Sequence, residues 1–100
     1  MASFRFSRLA EADLINIGEY TTRTWGEEQA ARYLDKLEAC CRGLAENPNL
    51  GLKSDDVHPG LLRMKQGKHV LFFRREAAGI LISRILHERM LPEKQLIDGE

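Results

Sequence analysis

The spacing of apolar positions changes along this chain, and each change marks a new element. Phe4 and Phe6 alternate with Ser3 and Arg5, the period-two pattern of a short opening strand over Ala2 to Phe6. From Ala10 the spacing becomes three and four, so that Ala10, Leu14, Ile17, Thr21 and Trp25 share one stripe of a helix. Ser7 stands where an N-cap is needed, and Gly26 ends the run. Glu27 and Glu28 then open a second helix at the end whose dipole favours acids. Its stripe is Ala30, Tyr33, Leu34, Leu37, Cys41 and Leu44. Gly43 weakens the last turn by about 1 kcal/mol relative to alanine, and Asn47-Pro48 closes it, because a residue before proline avoids helical angles. Helix, single glycine, helix is an αα-hairpin.

A loop from Asn49 to Pro59 leads into a second half that alternates like a sheet. Leu62 and Met64 interleave with Arg63 and Lys65, and Gln66-Gly67 is a tight turn. Val70-Leu71-Phe72-Phe73 is continuously apolar, the signature of a strand covered on both faces. Ala77-Ala78-Gly79 turns the chain into Ile80-Leu81-Ile82-Ser83-Arg84-Ile85-Leu86, and a short tail beyond Pro92 carries Leu96 and Ile97. The predicted order is β-α-α-β-β-β, an α+β fold in which the hairpin lays its stripe on one face of an antiparallel meander. The opposite sheet face, rich in arginine and lysine, is expected to be free for a partner.

Composition adds limits. A chain of 100 residues, 43% hydrophobic and 30% charged, is expected to form one domain over residues 1–100. Its formal charge is zero, yet Leu61 to Arg89 holds seven basic residues against two acidic ones, a block of +5. The rest therefore carries −5, and the basic pole belongs to the sheet. No apolar run approaches the ~20 residues that span a bilayer, and the first eight residues lack the pattern of a secretion signal. The adjacent Cys40 and Cys41 point about 100° apart on a helix, too divergent to bridge. They read as reduced thiols of a cytoplasmic protein, at least one of them in the core. No metal-ligand spacing is present, so no metal is expected.

The strand exit, Arg84-Ile85-Leu86-His87-Glu88-Arg89-Met90, crowds cationic and imidazole groups at the end of an apolar run. Arg84 is expected to pair with Asp13 or Glu19 if its face is covered by the helices. An imidazole such as His87 can transfer a proton near neutral pH or close a polar network at the strand end. Tyr20 and Trp25 are of the type that fastens a helix to its sheet or anchors a partner. One of Phe72 and Phe73 is expected in the core, with the other facing the opposite way.

The chain resembles the ParE branch of the RelE/ParE toxin superfamily over nearly its whole length. The resemblance rests on Ala10, Asp13-Leu14, Ile17, Tyr20, Trp25-Gly26, Gln29-Ala30, Tyr33-Leu34 and Leu37 in the first half. It continues in Asn47-Pro48, Leu50-Gly51, Pro59-Gly60, Gly67, His69, Phe72-Phe73-Arg74 and Arg84 to Met90. It implies a toxin that inhibits DNA gyrase by direct binding and blocks replication, is neutralised by a ParD-like antitoxin, and uses no cofactor and no catalytic residues. Arg63, Lys68, His69, Arg84, His87, Arg89 and Leu96 are then expected to meet the target. Tyr20, Trp25, Tyr33, Leu37 and Phe73 are expected to meet the antitoxin.

RelE-type relatives share the fold and cleave mRNA on the ribosome, which makes an endoribonuclease the alternative. That chemistry needs a base, an acid and cations for the charged phosphorane. Arg63, Lys65, Lys68, Arg84 and Arg89 can supply cations. Glu88 to Glu100, however, has none of the aromatic or imidazole groups that RelE relatives place there, leaving only His69 and His87. A toxin that keeps only its antitoxin-binding role in autoregulation is a third reading.

Overall fold

The computed structural model describes residues 2–90, 92–95 and 97. Leu96, expected at the target surface, lies outside them. Strand β1 (Ser3–Phe6) precedes helix α1 (Arg8–Trp25) and helix α2 (Glu27–Glu46). A 3-10 turn at Pro48–Leu50 leads to β2 (Leu52–Lys53), β3 (Leu62–Gln66), β4 (His69–Glu76) and β5 (Gly79–His87), and a second 3-10 turn follows at Pro92–Lys94. Among the described residues the strands form one sheet in the order β1-β5-β4-β3-β2.

The α+β fold and its order are as the alternation predicts, with two differences. Strand β1 pairs in parallel with β5 while the rest are antiparallel. The two-residue β2, too short for alternation to reveal, borders β3. Both helix boundaries fall at their capping residues. The Ser7 hydroxyl accepts the Ala10 N–H at 3.0 Å and itself donates to the Ser83 carbonyl at 2.7 Å. That serine thus starts α1 and fixes it to β5 in one stroke. Gly26, at φ +92°, supplies the left-handed turn between the helices.

The hairpin stripe packs as expected: Ala10, Ile17, Leu37, Cys41 and Leu44 are buried with Leu71, Phe73, Ile80, Ile82 and Ile85. Trp25 departs from the stripe and is 68% exposed, and Tyr20 is 59% exposed, so neither fastens α1 to the sheet. Burial raises the Cys41 thiol to about 12, which leaves it a packing group.

The opposite sheet face is not free as expected. Leu61, Phe72, Leu86 and Ile97 form a second buried cluster there, with Val57 and Val70 against it. Phe72 and Phe73 are therefore both in cores, one on each face, and neither awaits a partner. The loop before β3 and the C-terminal tail bring the covering residues, and neither has the periodicity that would announce it.

Gly43 proves exposed, with nothing within 4 Å of where a Cβ would stand. Its cost is conformational entropy alone. Gly43→Ala is expected to stabilise the protein by about 0.5–1 kcal/mol, read as a rise in urea midpoint at constant slope.

Candidate functional site

One corner of the sheet gathers the polar side chains that the sequence singled out. A register shift between Phe72 and Phe73 creates it. Counting from the turn, Glu76 faces Gly79 and Phe73 faces Ile82, but Phe72 faces Arg84, which leaves Ser83 as the extra residue of a β-bulge. Beyond the bulge the alternation of β5 is displaced by one position. His69 is thereby set opposite His87, at the end where the β3–β4 turn meets the exit of β5. The two imidazoles lie edge to face, with ring centroids 5.4 Å apart and planes at 82°.

Helix α2 closes this corner with Tyr33. Its hydroxyl is 2.5 Å from His69 Nδ1, accepts the Lys68 backbone N–H at 3.1 Å, and lies 3.3 Å from the Gln66 carbonyl. Gly67 is required beneath it: at φ +62°, any Cβ would stand 2.7 Å from the Tyr33 ring. Burial, with the hydrogen bond from Lys68 opposing it, raises the Tyr33 hydroxyl above its ordinary range. Burial and then the charge of His87 lower His69 below the usual imidazole value.

Charge is distributed unevenly around the rings. Lys65 Nζ pairs with Glu88 at 2.8 Å, and this contact holds the Glu88 carboxyl below its usual range. The Glu88 N–H donates to the Lys68 carbonyl at 2.8 Å, tying the turn to the strand exit. The Arg89 N–H donates to His87 Nδ1 at 3.1 Å, so His87 closes a strand-end turn. The Lys68 and Arg89 side chains are exposed and form no ion pair among the described residues.

Two expected target residues serve the scaffold instead. Arg84 grips Asp13 through Nε at 2.8 Å and Nη2 at 2.9 Å, and Asp13 Oδ2 also accepts the Ile85 N–H at 2.9 Å. Asp13, rather than Glu19, is its partner, and the pair is only 12% and 11% exposed. Hydrogen bonding to Asp13 raises the Arg84 guanidinium further, so it stays charged. Arg63 donates to the Lys53 carbonyl at 3.0 Å and to Ser54 Oγ at 2.8 Å, pinning β2 to β3. Lys68, His69, His87 and Arg89 remain together at the corner.

The residues expected to meet the antitoxin also divide. Tyr20 and Trp25 are open on α1, and Tyr33 belongs to the corner. Phe73, 0% exposed, has no surface to offer, and Leu37, 1% exposed, is reached only from the floor of a groove. Between β1 and the hairpin runs an apolar groove of about 470 Å³, walled by Phe4, Phe6, Leu14, Ile15 and Leu34, with Leu37 and Cys41 in its floor. The groove was not anticipated from sequence, although Ile15, 62% exposed and off the buried stripe, is its one local sign.

A hairpin-on-sheet scaffold with an open apolar groove and a cation-bearing corner defines a small protein equipped for macromolecular contact. Among the described residues no helix is long and apolar enough to cross a membrane. The family model described as ParE toxin of type II toxin–antitoxin system, parDE, matches residues 4–92, and the chain belongs to that family. Toxin ParE1 of Caulobacter vibrioides is 39% identical over 90 residues, covering 90% of this chain and 93% of its own. Toxin ParE1 of Mycobacterium tuberculosis is 34% identical over 94 residues, covering 93% and 96%. Toxin ParE of Escherichia coli is 38% identical over 92 residues, covering 90% and 88%. A solved structure titled Chromosomal ParDE TA system from P. aeruginosa superposes with a TM-score of 0.73 at 25% identity, over 87% of this chain and 96% of that one.

Proposed function

We propose that this toxin acts in the cytoplasm by binding DNA gyrase directly and blocking replication, and that a ParD-like antitoxin neutralises it. The observation that carries the target surface is the corner itself, where Lys68 and Arg89 stand exposed beside His69 and His87. Such exposed cations suit an acidic partner or a DNA-bound enzyme. The groove between β1 and the hairpin supports an antitoxin that lays an amphipathic segment along it, ordering as it binds. Tyr20 and Trp25 supply aromatic anchors on the adjoining helix.

The second reading, cleavage of mRNA, draws on the same two imidazoles. It needs a base with a free lone pair. His87 Nδ1 accepts the Arg89 N–H, so that neutral ring carries its proton on Nε2, and His69 Nδ1 is engaged by the Tyr33 hydroxyl. Engagement of both Nδ1 atoms favours binding over proton abstraction.

Gyrase, supercoiled plasmid and the purified protein, treated afterwards with protease and detergent, are expected to yield linear DNA. A codon-specific cut in a translated message would establish the nuclease instead. Neither product, together with no growth arrest on expression, would leave the autoregulatory role. Trp25→Ala is expected to weaken antitoxin binding at least tenfold, about 1.4 kcal/mol or more, with an unchanged melting temperature. Unaltered affinity by calorimetry would remove Trp25 from that interface.

A further inference from the structure

We propose that the His69–His87 corner is a binding site for an oxyanion of the phosphate class, and that Tyr33 lets the corner take up a proton as the anion arrives. The site lies at the same corner as the proposed target surface, but its test uses the isolated chain and does not depend on gyrase.

The donor pattern comes first. The Arg89 N–H occupies His87 Nδ1, which puts the neutral ring's proton on Nε2. The Tyr33 hydroxyl already accepts from the Lys68 N–H, so its own proton has two destinations, His69 Nδ1 at 2.5 Å or the Gln66 carbonyl at 3.3 Å. While it points to His69, that ring also carries its proton on Nε2. Neither Nε2 has a partner among the described residues. Two donors lacking acceptors, at the end of the sheet that holds Lys68 and Arg89, match a ligand that only accepts. The rings stand at 82°, so their donors are not coplanar. A tetrahedral anion offers oxygens in such directions, whereas a planar carboxylate suits a coplanar fork.

Proton uptake follows from the same contacts. An anion beside an imidazole favours its charged form. Protonated His69 gains an Nδ1–H that donates to Tyr33, and the hydroxyl proton then turns to the Gln66 carbonyl. In either state the Tyr33 hydroxyl proton has an acceptor and His69 Nδ1 keeps its partner. His69 is held neutral before binding by burial and by His87, while Asp13 on α1 and Glu88 at the strand exit oppose that effect. Asp13 is engaged by Arg84, and Glu88 by Lys65. Lys68 and Arg89, exposed next to the two histidines along the chain, add positive charge at this end of the sheet.

Sulfate, whose charge does not change between pH 6 and 8, is the probe for the coupling. Long-range proton–nitrogen NMR of the full chain, at constant ionic strength, follows all three imidazoles. His69 and His87 are expected to shift together and saturably while His58 stays, with affinity at least tenfold higher at pH 6. In Tyr33→Phe that ratio is expected to fall below threefold. Inorganic phosphate and dimethyl phosphate, titrated in parallel at pH 6, separate a free phosphate group from the diester of a nucleic-acid backbone. A stronger response to either supports the site and names its source. Absence of shifts in the wild-type chain, or equal movement of His58, overturns the site whether or not Tyr33→Phe folds. A tenfold ratio retained in folded Tyr33→Phe overturns the role of Tyr33.

Discussion

Asp13→Ala is expected to lower the unfolding free energy by about 3 kcal/mol, near the lower end of what an uncompensated buried ion costs. Asp13 accepts both Arg84 nitrogens and the Ile85 N–H, and the pair is almost wholly covered. Removing the carboxylate strands a guanidinium that cannot discharge, because arginine stays protonated at physiological pH. It also orphans a backbone donor just past the bulge. Arg84→Met with Asp13→Ala should recover part of the loss, since the stranded charge is gone, and a double-mutant cycle in urea measures the coupling. Additive losses would show that the pair contributes nothing as a pair. Target binding is expected to fall only as stability falls, which separates Arg84 from Lys68 and Arg89.

Phe73→Ala is expected to cost about 4 kcal/mol, within the range for deleting a buried aromatic ring. The ring is fully buried in the larger core, and Gly51 packs so closely on it that a Cβ there would overlap the Phe73 ring. The resulting cavity is closed on one side by α2 and on the other by β4, so little collapse is available. Antitoxin titration at a temperature where the variant remains folded should give wild-type affinity. A loss of affinity larger than the unfolded fraction would show that Phe73 touches the partner.

Periodicity made most of the scaffold legible. Ser7, Gly26 and Asn47-Pro48 marked the helix limits because capping and proline act through nearest neighbours. The stripe from Ala30 to Leu44 held because a 20-residue amphipathic helix has one face it can bury. Trp25 broke the extrapolation at the last residue of α1, where it is exposed rather than buried. Parallel pairing of β1 with β5 left no local trace, since it joins residues more than seventy positions apart. Leu61, Phe72 and Ile97 formed a second core through a loop and a tail whose patterns are aperiodic.

The site was legible in its members and not in its assembly. Lys68, His69, His87 and Arg89 stood out as a cationic and imidazole group, and the structure brings them to one end of the sheet. Tyr33 belonged to the helical stripe and was expected to meet the antitoxin, and only the tertiary fold sets it on His69. Arg84 was expected to pair with Asp13 or Glu19 under the helices, and it pairs with Asp13 of α1.

Strand β5 thus carries two alternation phases, joined at Ser83 and clamped there by Ser7 and Asp13 from α1. Its first half answers to the hydrophobic core, while its second half serves both cores through Ile85 and Leu86 and ends at the polar corner with His87. Loss of a single residue at the junction would leave every hydrophobic type intact while turning His87 away from His69. In this chain, length at one position governs what composition alone cannot.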